Sequence, residues 1–254
     1  MQVERGKPIQ EEKMNRYRKT AIIAGVLFIT ATTASILSLP FLASINTPNY
    51  LVNVSANGNQ VIIGALLTFI SAAVSASIAI SLYPIVRRHN EGLALGAVGF
   101  RIIEGVLYII GAICLILLLT LSQEFVNTGA PNASSFQTVG VLLLTGYHWV
   151  SFVGGPLAFC LGALMYYAIF YQTKLVPRWL SSWGLAGATL CIGASLLVIF
   201  RLIGPFSTFQ VVLSLPIAVQ EMALAVWLIV RGFNSSAIAS LSAKTELNEI
   251  LISV

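Results

Sequence analysis

The chain contains no aspartate. Its nine acidic residues are all glutamate, set against 14 Lys and Arg, and charged residues make up only 9% of the 254 positions. Soluble domains carry about a quarter charged residues, so this composition excludes a water-soluble enzyme and a disordered chain. Cysteine is scarce as well. Cys114, Cys160 and Cys191 lie in apolar stretches without CxxC spacing, which excludes a disulfide-stapled secreted domain and reads as packing. With His89 and His148 the only histidines, the paired ligands of a membrane-embedded b-type haem are missing. HExxH, Walker A and GxSxG patterns are all absent from the sequence, so zincin, P-loop and α/β-hydrolase chemistry have no residues to carry them. An intramembrane aspartyl protease would need the residue that is lacking. No catalytic group, metal ligand set or cofactor is expected.

What is present is apolar: 57% of residues are hydrophobic and mean hydropathy is +0.88. A membrane helix needs about 20 such residues in a row. Six stretches qualify: 21–42, 61–83, 93–121 (interrupted by Arg101 and Glu104), 137–171 (with His148), 179–200, and 206–230 (interrupted by Glu221). The runs are continuous rather than alternating, which argues against barrel strands. The first is longer than the ~7–15 residues of a signal-peptide core and reads as a retained helix. The expected fold is therefore all-α, a polytopic bundle of six transmembrane helices. Residues 1–19 form a basic tail, 20–232 the membrane domain, and 233–254 a second tail. In that second tail Ile238, Leu241, Leu247, Leu251 and Val254 recur at roughly helical spacing, as in an amphipathic surface helix.

Basic residues orient the bundle. Six lie within residues 1–19; Arg87 and Arg88 follow the second span, Lys174 and Arg178 the fourth, and Arg231 and Lys244 the sixth. The links after the first and third spans have none. The positive-inside rule then places both termini in the cytoplasm, N-in and C-in, with the cell membrane as location. The net charge of +5 calls for no nucleic acid; the basic tail suits anionic lipid headgroups. Tyr17, Tyr83, Tyr166, Tyr167, Tyr171, Trp179, Trp183 and Trp227 fall near inner ends, and Tyr50, Tyr147 and Trp149 near outer ends, the pattern of interfacial belts.

Local signals refine the helices. Thr47-Pro48 and Asn57-Gly58 bracket a short surface helix, with Thr47 as N-cap and Pro48 at the first turn. The fourth stretch is too long for one upright crossing, so it either starts on the outer surface or breaks at Gly154-Gly155-Pro156. Pro216 should kink the sixth span. Gly64, Thr68, Ser71 and Ser75 run along one face of the second span and favour close packing within the chain.

Ionisable residues inside a bilayer are expensive and face the bundle interior. Arg101 and Glu104 share a face with Tyr108 at i, i+3, i+7. Glu221, beside Gln220, shares a face with Gln210 and Ser214. At ~1.5 Å per residue, Arg101 and Glu221 lie at nearly equal depth, about 14–15 Å from their helix ends. An unpaired Arg there costs at least ~2.5–3.5 kcal/mol, so Arg101 is expected to contact Glu221, with Glu104 as second acceptor. Arg101, Glu104, Tyr108, Gln220 and Glu221 form the candidate buried polar site. It serves a proton, an ion or a lipophilic or small ligand in a transporter-like protein. The alternative is a structural ion pair in a non-catalytic membrane partner or sensor.

The block Asn90-Glu-Gly-Leu-Ala-Leu-Gly-Ala-Val-Gly-Phe-Arg-Ile-Ile-Glu-Gly105 adds a different kind of information. With it go Leu175-Val-Pro-Arg-Trp-Leu180 and Trp183-Gly184, Leu215-Pro-Ile-Ala-Val-Gln-Glu-Met222, and Val54-Ser-Ala-Asn57. Together, over roughly residues 18–234, they resemble a largely bacterial family of small membrane proteins, domain of unknown function 4386. The resemblance implies a six-span integral membrane protein and brings no activity, substrate or catalytic residue.

Overall fold

The computed structural model describes residues 6–129, 133–205 and 207–240, with side chains from Met14 onward. Among the described residues there is no strand. The helices are α1 (Gly6–Phe41), α2 (Tyr50–Ala56), α3 (Gly58–Val86), α4 (Glu91–Asn127), α5 (Ala133–Trp149), α6 (Gly155–Thr173), α7 (Arg178–Ile199) and α8 (Thr208–Val230), with a short 3₁₀ turn at Ala43–Asn46 and a π-helical stretch at Val150–Gly154. Among the described residues, six segments are long and apolar enough to span a bilayer: Met14–Phe41, Gly58–Val86, Glu91–Asn127, Ala133–Thr173, Arg178–Ile199 and Thr208–Val230. Helix α1 runs from Gly6 without a break, so the described part of the basic tail is helical and continuous with the first span.

Sequence explains where these helices start. Asn90 adopts an extended conformation and its side chain accepts the Leu93 N–H at 3.0 Å, while Glu91 in the first turn complements the helix dipole. Ser207 caps α8 the same way through Gln210 N–H. The surface helix α2 departs from expectation. Its N-cap position is Asn49, so Pro48 precedes the helix rather than opening it. Thr47 instead donates to Ser44 O at 2.8 Å and accepts from Asn53 Nδ2. Asn57 ends α2 and at once begins α3.

The fourth segment is interrupted where the glycine-proline signal lies. Its π-helical stretch ends at Gly154, and Pro156 stands in the first turn of α6. A π turn displaces carbonyls from their usual partners; here Gln210 Nε2 of α8 donates to Phe152 O at 3.0 Å. Before the stretch, α5 buries only Gly140 and Tyr147, as a half-segment on the rim should. Helix α8 continues through Pro216. Just past it, α7 comes so close that a Cβ on Gly187 would lie 2.9 Å from Ile217 N.

The spans close into a ring: α1 packs on α3, α3 on α4, α4 on α6, α6 on α7, α7 on α8, and α8 back on α1. Helices α2 and α5 lie against α4. Large apolar side chains such as Ile36, Leu66, Leu142, Phe200 and Val212 stay exposed on the outside, as a surface facing lipid requires. Inside, one apolar cluster gathers Ala21, Phe28, Leu82, Tyr166, Phe170, Leu180 and Leu224. A second gathers Leu42, Val54, Val61, Leu115 and Tyr147. Along α4 the first ends at Ala97 and the second begins at Ala112, and Arg101 and Glu104 fall between them.

The interfacial-belt expectation needs correcting at three residues. Tyr166 and Tyr167 are fully buried, and Tyr147 is buried too, so none of the three belongs to an interfacial belt. Tyr171, Trp179 and Trp149 are exposed and fit one. The described start of the second tail packs Phe233, Ala237 and Ile238 against the first cluster; the rest of that segment, from Leu241 on, lies outside the described residues.

Candidate functional site

The guanidinium of Arg101, from α4, reaches into the centre of the ring. Its Nη2 lies 2.7 Å from Glu221 Oε1 on α8, and its Nη1 lies 3.2 Å from Glu104 Oε2, one turn along α4. Nη1 also donates to Ser75 Oγ of α3 at 2.9 Å, and Nη2 to Tyr166 OH of α6 at 3.0 Å. Tyr166 OH in turn donates to Glu221 Oε1 at 3.3 Å. The face of the guanidinium rests on Phe159, 4.4 Å from its ring centroid, a favourable contact for a desolvated cation. The side chains are 3%, 6% and 13% exposed for Arg101, Glu104 and Glu221. Arg101 Nε is buried and has no hydrogen-bond partner among the described residues.

A second pair of groups adjoins this cluster. Tyr167 OH donates to Gln220 Oε1, and Gln220 Nε2 donates to Leu180 O of α7 at 3.0 Å. The rings of Tyr166 and Tyr167 lie 4.4 Å apart between centroids. Two polar bridges thus lie side by side, one ionic and one neutral. Both join helices that are not ring neighbours: α4 to α8, and α6 to α8. They are struts across the interior rather than seams between adjacent helices.

Of the five residues expected to form the site, Arg101, Glu104 and Glu221 meet directly. Gln220 serves Tyr167 and α7 instead. Tyr108 makes no hydrogen bond to the cluster; its ring packs over Gly155, where a Cβ would lie 2.6 Å from Tyr108 Cε1. Gln210, on the same face of α8 as Glu221, answers the π-helical carbonyl. The residues missed are Ser75, Phe159, Tyr166 and Tyr167. Ser75 read as a small packing residue and the tyrosines as belt residues. The signal that pointed further was the Tyr166-Tyr167 pair standing five residues before the end of its apolar stretch, deeper than a belt requires.

Chemically, the cluster presents one guanidinium to two carboxyl groups, with the Tyr166 phenol joining that guanidinium to Glu221. Among the described residues, no three His, Cys, Asp or Glu gather as a metal site. The arrangement can hold helices in register or pass a proton along a short chain of oxygens. It offers no nucleophile–base pair.

Six apolar spans around an apolar core with one buried polar cluster define a multi-pass helical membrane protein. Residues 23–232 match a family described as Domain of unknown function (DUF4386), and the chain belongs to that family. No curated protein and no solved structure matches it.

Proposed function

We propose that this is a non-catalytic membrane protein, a partner or sensor subunit, in which Arg101 locks α3, α4, α6 and α8 together. The observation carrying this reading is the closure of the cluster. Both terminal nitrogens of Arg101 are engaged by groups from four helices. A cavity of about 550 Å³, lined by residues between Lys174 and Asn234, lies away from this cluster. The bundle resides in a cell membrane with both termini in the cytoplasm, a reading that rests on the distribution of basic residues. Its environment is the lipid bilayer; no cofactor or nucleic acid enters the proposal.

A second reading, transport of a proton or a small lipophilic ligand, has one observation in its favour. Two carboxyl groups face a single guanidinium, and Glu221 keeps 13% of its side chain exposed. Reconstitution into liposomes separates the two. If Arg101 is a lock, Glu221→Gln lowers the melting temperature, and neither wild type nor variant dissipates an imposed pH gradient. If wild type conducts protons, and Glu221→Gln abolishes conduction at unchanged melting temperature, the transport reading replaces the lock.

A further inference from the structure

On the face of the bundle that carries both described ends, the α6–α7 link and the exit of α8 line an open cavity of about 550 Å³. Its lining includes Lys174, Arg178 and Arg231, together with Trp227 and Phe233, and no acidic residue among the described residues. We propose that this cavity binds the phosphate headgroup of an anionic phospholipid, a site that goes beyond the lock reading and does not depend on it.

Four observations point the same way. First, the three cations stand at the ends of three spans, Lys174 just past Thr173, Arg178 at the start of α7 and Arg231 just past Val230, which is headgroup depth. Basic pockets between spans at this level suit lipid phosphates. Second, the cavity is built. Asn234 N–H donates to Leu175 O at 2.9 Å, tying the exit of α8 to the opposite wall, and Asn234 Oδ1 accepts from Ser236 N–H at 3.1 Å. Third, Lys174 ends α6 at φ 57, a left-handed cap normally given to glycine. A lysine in that position holds a charge at the mouth at the expense of backbone comfort. Fourth, the negative end of α8, which would repel a phosphate, is neutralised. Arg18 donates to Leu228 O, Ile229 O and Val230 O at 3.1, 2.6 and 3.2 Å. Trp227 and Phe233 in the lining, with exposed Trp179 and Tyr171 alongside, give the acyl-glycerol part an apolar approach, which a free anion would not need. Arg178 is held toward this edge by its stack on Tyr171, 5.2 Å from the ring centroid.

The test titrates the full-length protein, in a neutral detergent, with short-chain phosphatidylglycerol, short-chain phosphatidylcholine and inorganic phosphate. It reads retained lipid by native mass spectrometry and the melting temperature. Phosphatidylglycerol is expected to bind at least tenfold more tightly than phosphatidylcholine and to raise the melting temperature; inorganic phosphate does neither. Lys174→Gly, Arg178→Gln and Arg231→Gln each weaken phosphatidylglycerol binding about fivefold, the effect of one lost charge near a lipid surface, while Arg87→Gln on the same face leaves it unchanged. Lys174→Gly also separates binding from folding, because glycine suits φ 57 and the lipid-free melting temperature should hold or rise. Equal binding of phosphatidylcholine overturns the proposal, as does an Arg87→Gln effect matching the other three. Protection by inorganic phosphate equal to that by phosphatidylglycerol reassigns the cavity to a free anion. A tenfold gain in affinity on Glu246→Gln/Glu249→Gln would mean that the chain's own acidic tail is the occupant, which also overturns it.

Discussion

A guanidinium at mid-depth in a bilayer is tolerable only when its donors are used and its charge is met. Arg101 meets both conditions through Ser75, Tyr166, Glu104 and Glu221. Removing it alone leaves two carboxyl groups without their cation, so Arg101→Met should lower stability by about 3–5 kcal/mol. Adding Glu221→Gln should restore part of that loss. A double-mutant cycle by thermal denaturation in detergent checks this; strictly additive losses would mean that the 2.7 Å contact contributes nothing. Gln220 makes the neutral counterpart. Gln220→Leu strands Tyr167 OH and Leu180 O in an apolar core, a loss of about 1–3 kcal/mol, readable in the same assay.

The elements are held by close approaches that single atoms can spoil. Helices α1 and α8 close the ring, and a Cβ on Gly25 would sit 2.7 Å from Ala225 O and 2.7 Å from Ile229 Cγ1. The neighbouring atom is backbone and cannot rotate away, so Gly25→Ala should destabilise by about 1–3 kcal/mol. Gly99 on α4 has nothing within 4 Å of its would-be Cβ. There Gly99→Ala should be neutral or stabilising by up to about 1 kcal/mol, because alanine is the better helix former. A lower melting temperature for Gly99→Ala would show that its open face is covered by something other than the described residues. The seam has a polar clasp as well: Arg18→Ala removes the three bonds to the last carbonyls of α8. It should speed hydrogen exchange at residues 228–234 while leaving α3 and α4 unaffected.

For the molecule as a whole, an even number of spans returns the chain to its starting side, as the Arg18 clasp between the start of the first span and the end of α8 requires. In a background with Cys114, Cys160 and Cys191 replaced by serine, cysteines at positions 50 and 130 should react with an impermeant maleimide added outside. Cysteines at 88 and 234 should react only after permeabilisation. The reverse pattern would invert the orientation read from the basic residues.

The number of spans, their apolar bounds and the charge difference between the two faces are local quantities, and local sequence determines them: each depends on about 20 consecutive residues meeting or failing the solvation demand of a bilayer. The pairing of Arg101 with Glu221 was also legible, because a charge that cannot reach water must find a partner and few exist. The ring order was not. That α4 faces α8 across the centre, that Tyr166 and Ser75 supply the remaining acceptors, and that Gln220 turns toward Tyr167 rather than Arg101 depend on how six helices rotate about their axes. Rotation is set by the fit of side chains from different helices, such as Gly25 under Ala225 and Gly187 under Ile217, and no stretch of a single helix contains that information. The same holds for the basic cavity. Lys174, Arg178 and Arg231 read as flank charges along the chain, and only the packing of the α6–α7 link against the exit of α8 turns them into one site.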